Sequence, residues 1–539
     1  MLKYELQGSR QNAFAQSGRK DAQKEQSISG RPWYDTCLPA NGRREIMYYI
    51  DPPNGVVIIL DILRKHGFEA YAVGGCVRDS IMVRTPKDWD IATDAHPEQI
   101  CGLFGKTIDT GIKHGTVTVI LDKMHYEVTT FRIDGRYTDG RHPEEVEFTS
   151  GLQDDLRRRD FTINSMAWNP EGGIIDPFGG INDITNRIIR TVGDPGERFS
   201  EDALRMLRAV RFAAALGFEI EAGTLEGIKE NSSKICKISA ERIREELAGI
   251  LASDAPEKFV ILRHTGLLRY ILPELDVCFD TDRNQKCIGE HCLRSAAAVE
   301  ADPLLRWAML LHDVGRCSKA DADPCKEEIS TDTDLRREAA DPSEKITVYT
   351  NLGRGLRETA VSSCTQKSIE TADMILSRLK FDNKSKKKIL RLIRHLEMYI
   401  EAEQSAVARA ILEAGEDIFS DLLKVKKAHL VALQGDEHTA RSIMEQNPVT
   451  CSRYGGKVEL DKLDRVQSVF SSLMESGLCF GLKSLAINGS DLRRLGLNEG
   501  KCIGDILVYL LDRVIDEPGL NNKDILADMA LEYLKGKQH

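Results

Sequence analysis

The chain has 539 residues, 41% of them hydrophobic and 29% charged, with a formal net charge of −10. That length exceeds what one core organises and implies about three or four domains. The acidic balance excludes a uniformly basic nucleic-acid coat, so any RNA contact has to come from local basic surfaces. No apolar run approaches the roughly 20 residues that span a bilayer; the best candidate, 56–60, is stopped by Asp61. The 13 cysteines are odd in number and form no CxxC pair. Reduced thiols in a cytoplasmic setting fit that usage better than a zinc knuckle or a disulfide framework.

Residues 1–48 are polar and mixed in charge, lack an apolar signal core, and read as a disordered extension. From 55 to 175, short β-rich runs such as 115–121 and 126–132 alternate with helices, an α/β block. Within it, 74–93 reads GGCVRDSIMVRTPKDWDIAT. A Gly-Gly turn after Tyr71, Ala72 and Val73 leaves room for backbone N–H groups to approach a phosphate. Asp88 and Asp90 are two apart in an extended segment and share a face. Converging carboxylates repel unless a cation lies between them, and oxygen ligands suit Mg²⁺. Glu127 is the candidate third carboxylate if the run 126–132 pairs beside this strand, although strand glutamates commonly face solvent. Phosphate, metal and paired Asp together point to phosphoryl or nucleotidyl transfer. The stretch 134–148, rich in Gly, Asp and Arg, reads as a mobile loop between strands.

Three consecutive arginines in LRRRDFTINSMAW (156–168) are costly to bury together, so at least one should face an anion. From about 195 helical periodicity dominates to the C-terminus. The spacing predicts a helix over 200–218, with Ser200 as N-cap, Gly217 as terminator and Leu204, Leu207, Val210 and Ala214 as its buried stripe. Asp202, Arg205, Arg208 and Arg211 recur every three residues, which describes an exposed, salt-bridged face. An Asp beside an Arg also matches the Watson–Crick edge of cytosine or adenine, accepting from the exocyclic amino group and donating to the ring nitrogen. Guanine and uracil present the opposite polarity and would leave buried groups unpaired. Residues 318–365 are acidic without apolar period and read as a disordered insertion. The basic run 380–395 reads either as a solvated helix face or as a surface for RNA phosphates.

The ordered set Gly-Gly, Val-Arg-Asp and Asp-Trp-Asp, followed by RRDFTIN and by Glu201, Asp202 and Arg205, resembles polymerase-beta-type nucleotidyltransferases. In particular it is similar to the class II tRNA nucleotidyltransferase (CCA-adding) and bacterial poly(A) polymerase family. The likeness is dense over 55–275, including 176–195 and 241–247, and looser at 485–497 and 500–507. It implies an α+β fold class: a nucleotidyltransferase head of mixed sheet and helices (49–180), then an all-α neck (181–280), an HD-like helical domain (281–400) and a helical tail (401–539). It implies that Asp88 and Asp90 hold Mg²⁺, with Glu127 as a third catalytic acid, and that Gly75 and Arg78 cradle the triphosphate. Arg159, with Asp160 and Asn164 in the same motif, would serve nucleotide and ribose. Asp202 and Arg205 would template the incoming base, with Arg208 and Arg211 also on the nucleotide.

The activity so implied is template-independent addition of C, C and A to tRNA 3′ ends from CTP and ATP, releasing pyrophosphate, in the cytoplasm and with no membrane partner. Alternatives within the family are an A-adding enzyme, a CC-adding enzyme and a poly(A) polymerase; outside it stand an HD-type phosphohydrolase and a non-catalytic RNA-binding module. The stretch 104–121 resembles the tRNA-specific enzymes, and a loop at 134–148 favours a product ending in A. The segment 291–316, with His291, His312 and Asp313, resembles an HD phosphohydrolase domain. Ser363-Cys364 and Leu396-Glu397 stand where that pattern has further ligands. The expectation is a scaffold with weak or lost hydrolase chemistry, a single-metal remnant on His291, His312 and Asp313 remaining open.

Overall fold

The computed structural model describes residues 34–37, 45–112, 115–134, 146–149, 151–280, 288–317, 362–434, 457–476, 481–496 and 501–537. Most of the loop expected at 134–148 and of the insertion expected at 318–365 lies outside the described residues. Strands β1 (Tyr34–Cys37) and β2 (Glu45–Tyr48) pair antiparallel, within a stretch that composition alone assigns to disorder. The chain forms two compact units, Met1–Arg242 with Thr265–Leu267, and Ile243–His264 with Leu268–His539.

The first unit is built on β3 (Ala70–Val73), β4 (Asp90–Thr93), β5 (Thr107–Gly111), β6 (Thr116–Leu121) and β7 (Met124–Thr130). A short pair follows, β8 (Arg132–Asp134) with β9 (Val146–Phe148), and then β10 (Ala167–Asn169) and β11 (Gly173–Ile175). Seven of these strands make one mixed sheet in the order β11-β10-β3-β4-β7-β6-β5. Strand β4 runs parallel to β7, and the other neighbours are antiparallel. The β-branched run TVTVIL suits β6, where Val117 and Val119 are fully buried.

The helix Asn54–Lys65 places Val56, Ile59, Leu60 and Leu63 at helical spacing and packs them with Ala70, Ala72 and Ile91. A second cluster contains Val73, Ala92, Phe131, Leu156 and Ala167. Adjacent strand residues Ile91 and Ala92 therefore enter different cores, so the sheet centre is covered on both faces.

The helix expected over 200–218 is two helices, Pro195–Glu201 and Leu204–Leu216. Asp202 is the break: its backbone is extended, and its Oδ1 accepts from Leu204 N–H at 2.9 Å. Ser200 lies inside the first helix, where its Oγ donates to the Gly196 carbonyl at 2.6 Å, and is not a cap. Arg205, expected on an exposed face, is buried. Gly217 ends the second helix at φ 69°, and Leu204, Leu207, Val210 and Ala214 are buried.

The described elements of the second unit are all helices. Side-chain caps start its helices: Asp302 before Pro303–Leu311, Ser362 before Ser363–Arg378, and Asp382 before Asn383–His395. Toward the C-terminus Leu492, Ile506, Leu510, Leu511, Val514 and Leu526 form a core. In the basic helix Asn383–His395, Lys386, Lys388 and Arg391 pair with Asp373, Asp421 and Asp417 at 2.9, 2.7 and 2.7 Å. Those three charges are thus committed within the protein. No described helix is long and apolar enough to cross a membrane. Seven described cysteines are free thiols.

Candidate active site

Three strands converge where β3 ends. Val73 is the register partner of Asp90, and Asp90 is the register partner of Glu127. Partners on adjacent strands point to the same face, so Asp90 and Glu127 stand side by side. Asp88 and Asp90 are exposed while Trp89 between them is buried, the alternation of an extended segment. Three carboxylates therefore gather on the central strands of the sheet, where β4 begins.

Protein crowding at the strand end, with the charge of Asp88 adding to it, raises the Asp90 carboxyl above its ordinary pKa, against the opposing pull of Arg159. Glu127 is raised for the same reason, partial desolvation first and then Asp90 and Asp88. A group of acids that disfavour one another's charge, offering only oxygen, fits a hard divalent cation.

Opposite them lies the Gly-Gly turn. Gly74 has φ 79° and ψ −128°, a conformation reserved for glycine, and its N–H donates to the Met166 carbonyl at 3.1 Å. A Cβ there would sit 3.0 Å from Arg159 Nη1. Gly74 makes the turn, and Gly75 begins the helix Gly75–Ile81. Arg159 is held on one side by Asp155, Nη2 to Oδ2 at 3.2 Å, while its buried Nε has no hydrogen-bond partner. Burial opposes charge on Asp155, but Arg159 and Arg158 keep its carboxyl below the usual range. An anchored guanidinium with a donor to spare, between a glycine turn and the acids, has the chemistry to receive an anion.

A buried chain of polar contacts backs this turn. Arg78 Nε donates to Asp79 Oδ1 at 2.8 Å and Nη1 to Asn164 Oδ1 at 2.6 Å. Asn164 Nδ2 donates to Asp160 Oδ1 at 3.2 Å, and Arg208 Nε donates to Asp160 Oδ2 at 2.7 Å. Burial works against the charge of Asp160, yet Arg208 holds its carboxyl below the usual range. The guanidinium carbons of Arg78, Arg208 and Arg211 lie 5.3, 5.3 and 4.5 Å from the Phe212 ring centre. Three like charges around one ring create a local positive field in an acidic chain.

The pair expected to read the base is present, but its side chains take separate partners. Asp202 Oδ2 accepts from Arg242 Nη2 at 2.9 Å. Arg205 is buried, with Nη1 on Glu201 Oε2 at 2.6 Å and Nη2 on the Arg158 carbonyl at 3.0 Å. Each carboxylate oxygen retains a lone pair for a further donor. Sequence reasoning missed Asp155, Phe212 and Arg242. The first could have been found from its i+3 and i+4 spacing to Arg158 and Arg159; nothing local marks the other two.

Comparison with known proteins agrees with this geometry. Residues 70–190 match the family model of the poly A polymerase head domain, 217–279 that of the probable RNA and SrmB-binding site of polymerase A, and 358–530 that of the putative tRNA nucleotidyltransferase domain 2. A CCA-adding enzyme of Geobacillus thermodenitrificans is 48% identical over 262 residues, 48% of this chain and 62% of that protein. One from Lactobacillus helveticus is 54% identical over 188 residues, 35% of this chain and 47% of that protein. The chain thus matches less than two thirds of the length of these curated relatives. The crystal structure of the Bacillus stearothermophilus CCA-adding enzyme in complex with CTP superposes with a TM-score of 0.62 at 28% identity, covering 90% of this chain and 99% of that one. The head model, the helical models and these relatives agree: the chain carries a poly A polymerase head domain followed by regions that match RNA-binding and tRNA nucleotidyltransferase domain models, and it is similar to CCA-adding enzymes.

Proposed function

We propose that the protein is a template-independent tRNA nucleotidyltransferase that adds C, C and A to tRNA 3′ ends from CTP and ATP, releasing pyrophosphate, in the cytoplasm. The observation that carries this reading is the grouping of Asp88, Asp90 and Glu127 on the central strands, beside the Gly74–Gly75 turn and Arg159. The names of the curated relatives, and the CTP complex of the Bacillus stearothermophilus protein, favour it over a hydrolase or a binding module.

Asp88 and Asp90 would hold Mg²⁺, with Glu127 beside them; the bound cation would offset triphosphate charge and ease deprotonation of the attacking 3′-hydroxyl. Gly75 N–H, at a helix start, would donate to a phosphate oxygen. Arg159, steadied by Asp155, would donate its spare Nε toward triphosphate or ribose, and Arg208 and Arg211 would add positive field. Arg78 has a different share of the work. Buried on Asp79 and Asn164, it would position the turn and contribute charge at short range.

Asp202 would accept the amino hydrogen of cytosine or adenine while Arg205 donates to the ring nitrogen, and Arg242 would steady the Asp202 carboxylate. Because protein groups read the base, no nucleic-acid template is required. The helical unit would grip the acceptor arm of tRNA through shape and phosphate contacts.

The test is direct. A tRNA transcript lacking its 3′ terminus, incubated with the protein, CTP, ATP and Mg²⁺, should grow by three nucleotides and release three equivalents of pyrophosphate. Asp88→Ala should abolish both. Failure of the wild-type chain to extend the transcript would contradict the proposal.

A further inference from the structure

Far along the sequence from the acids, the helical unit buries a second cluster of donors. His291 comes from the helix Ile288–Ala298, His312 and Asp313 from the end of Pro303–Leu311, and His429 from Glu416–Gln434. Their exposures are 0, 4, 4 and 7%. One ring nitrogen from each histidine lies within 4.8 Å of the others. The ring centres form a nearly equilateral triangle, 5.1, 5.2 and 5.0 Å on a side.

That triangle has a chemical meaning. Three imidazoles on one tetrahedral ion with metal–nitrogen bonds of about 2.05 Å would place ring centres about 5.2 Å apart and ligating nitrogens about 3.3 Å apart. The His291 Nε2 to His312 Nε2 separation is 3.2 Å. His312 Nδ1 donates to the Met309 carbonyl at 2.6 Å, which leaves Nε2 as the bare nitrogen, the arrangement that orients metal-binding histidines.

The hydrogen-bond ledger points the same way. His429 Nδ1 and Asp313 Oδ2 are buried without a partner. Buried polar groups are ordinarily satisfied, and two orphans in one cluster call for a missing component. Arg316 occupies Asp313 Oδ1 at 2.6 Å, so the carboxylate is ionised and Oδ2, 3.5 Å from His312 Nε2, is left over.

We propose that His291, His312, His429 and Asp313 Oδ2 hold one Zn²⁺ ion in a closed structural site that ties these helices together. Three imidazoles and a carboxylate suit zinc better than the hard cations of the acidic site. Four protein ligands and near-complete burial leave no coordination position for an attacking water, so the site is structural and not hydrolytic. His429 stands outside the His-Asp pattern visible in the sequence. The inference is independent of nucleotide addition.

The experiment uses the full chain, stripped with chelator, reloaded with equimolar Zn²⁺ and dialysed, with metal content read by mass spectrometry. One zinc per chain, a melting temperature that falls on chelation and recovers with Zn²⁺, and the visible absorption of tetrahedral Co²⁺ after substitution are the results expected. His429→Gln should bind zinc at least about tenfold more weakly, while CTP and ATP incorporation continues. Negligible zinc in the reloaded wild type, or wild-type zinc affinity in His429→Gln, would overturn the proposal. Should that variant not fold, the wild-type zinc content and Co²⁺ spectrum decide the matter alone.

Discussion

Asp90 and Glu127 are register partners in the parallel β4–β7 pairing, and the Glu127 carboxyl is raised above its ordinary pKa by partial desolvation and then by the Asp90 charge. Two acids placed side by side on central strands destabilise the metal-free protein, and a bound cation would offset that cost. Asp90→Asn should therefore leave the metal-free melting temperature unchanged or higher. Nucleotide addition should fall by more than about 100-fold, since even residues that merely support metal ligands cost 10–100-fold. Calorimetry beside a primer-extension assay checks both halves.

The same pair sets a pH dependence. Because the folded-state pKa values of Asp90 and Glu127 are raised, their ionised forms cost stability above those values, and the cost disappears as pH falls through them. Stabilisation by added divalent cation should accordingly be complete at neutral pH and vanish as pH falls through the raised carboxyl range. Thermal shift with and without Mg²⁺, across pH 4 to 8 in outline, reads this; a shift independent of pH would contradict it.

The two glycines of the turn should behave differently. Gly74→Ala forces a side chain into a left-handed conformation and against Arg159, and should cost about 1–3 kcal/mol. At Gly75 an added Cβ would meet only Arg78 Nη2, at 3.6 Å. Gly75→Ala should keep its stability and instead weaken nucleotide binding, seen as a higher KM for CTP and ATP.

Asn164 joins Arg78 to Asp160 across the buried network. Asn164→Ala strands two charged groups and should lower stability by about 2–3 kcal/mol. A denaturant titration measures it, and a loss under 0.5 kcal/mol would show that the network is not held through this residue.

Asp202 caps Leu204 and pairs with Arg242. Asp202→Asn keeps an oxygen for the cap but changes the polarity offered to the base. Discrimination against GTP and UTP should fall by about 10- to 100-fold, the worth of one bidentate base contact. Competition between nucleotides in a single-addition assay gives the ratio.

Local pattern made much of this site legible. The i, i+2 spacing of Asp88 and Asp90 defines a shared face without knowledge of the fold, and the β-branched runs mark strands wherever they pair. Which strand neighbours β4 is a long-range fact, and Glu127 became a candidate through family resemblance as much as through its own sequence. The helix break at 202 escaped because Ser200, Glu201 and Asp202 all suit a helix start; the residue that caps is Asp202, two places later than the sequence suggests. Arg242 and His429 carry no local mark, since their partners come from distant helices.

The central claim is tested most directly with three tRNA transcripts, ending at the discriminator base, in C and in CC, each given CTP, ATP or both with Mg²⁺ and resolved at single-nucleotide length. The account predicts that every transcript grows to CCA and stops there. Extension of the CC transcript alone, or an unbounded ladder of A, would contradict it.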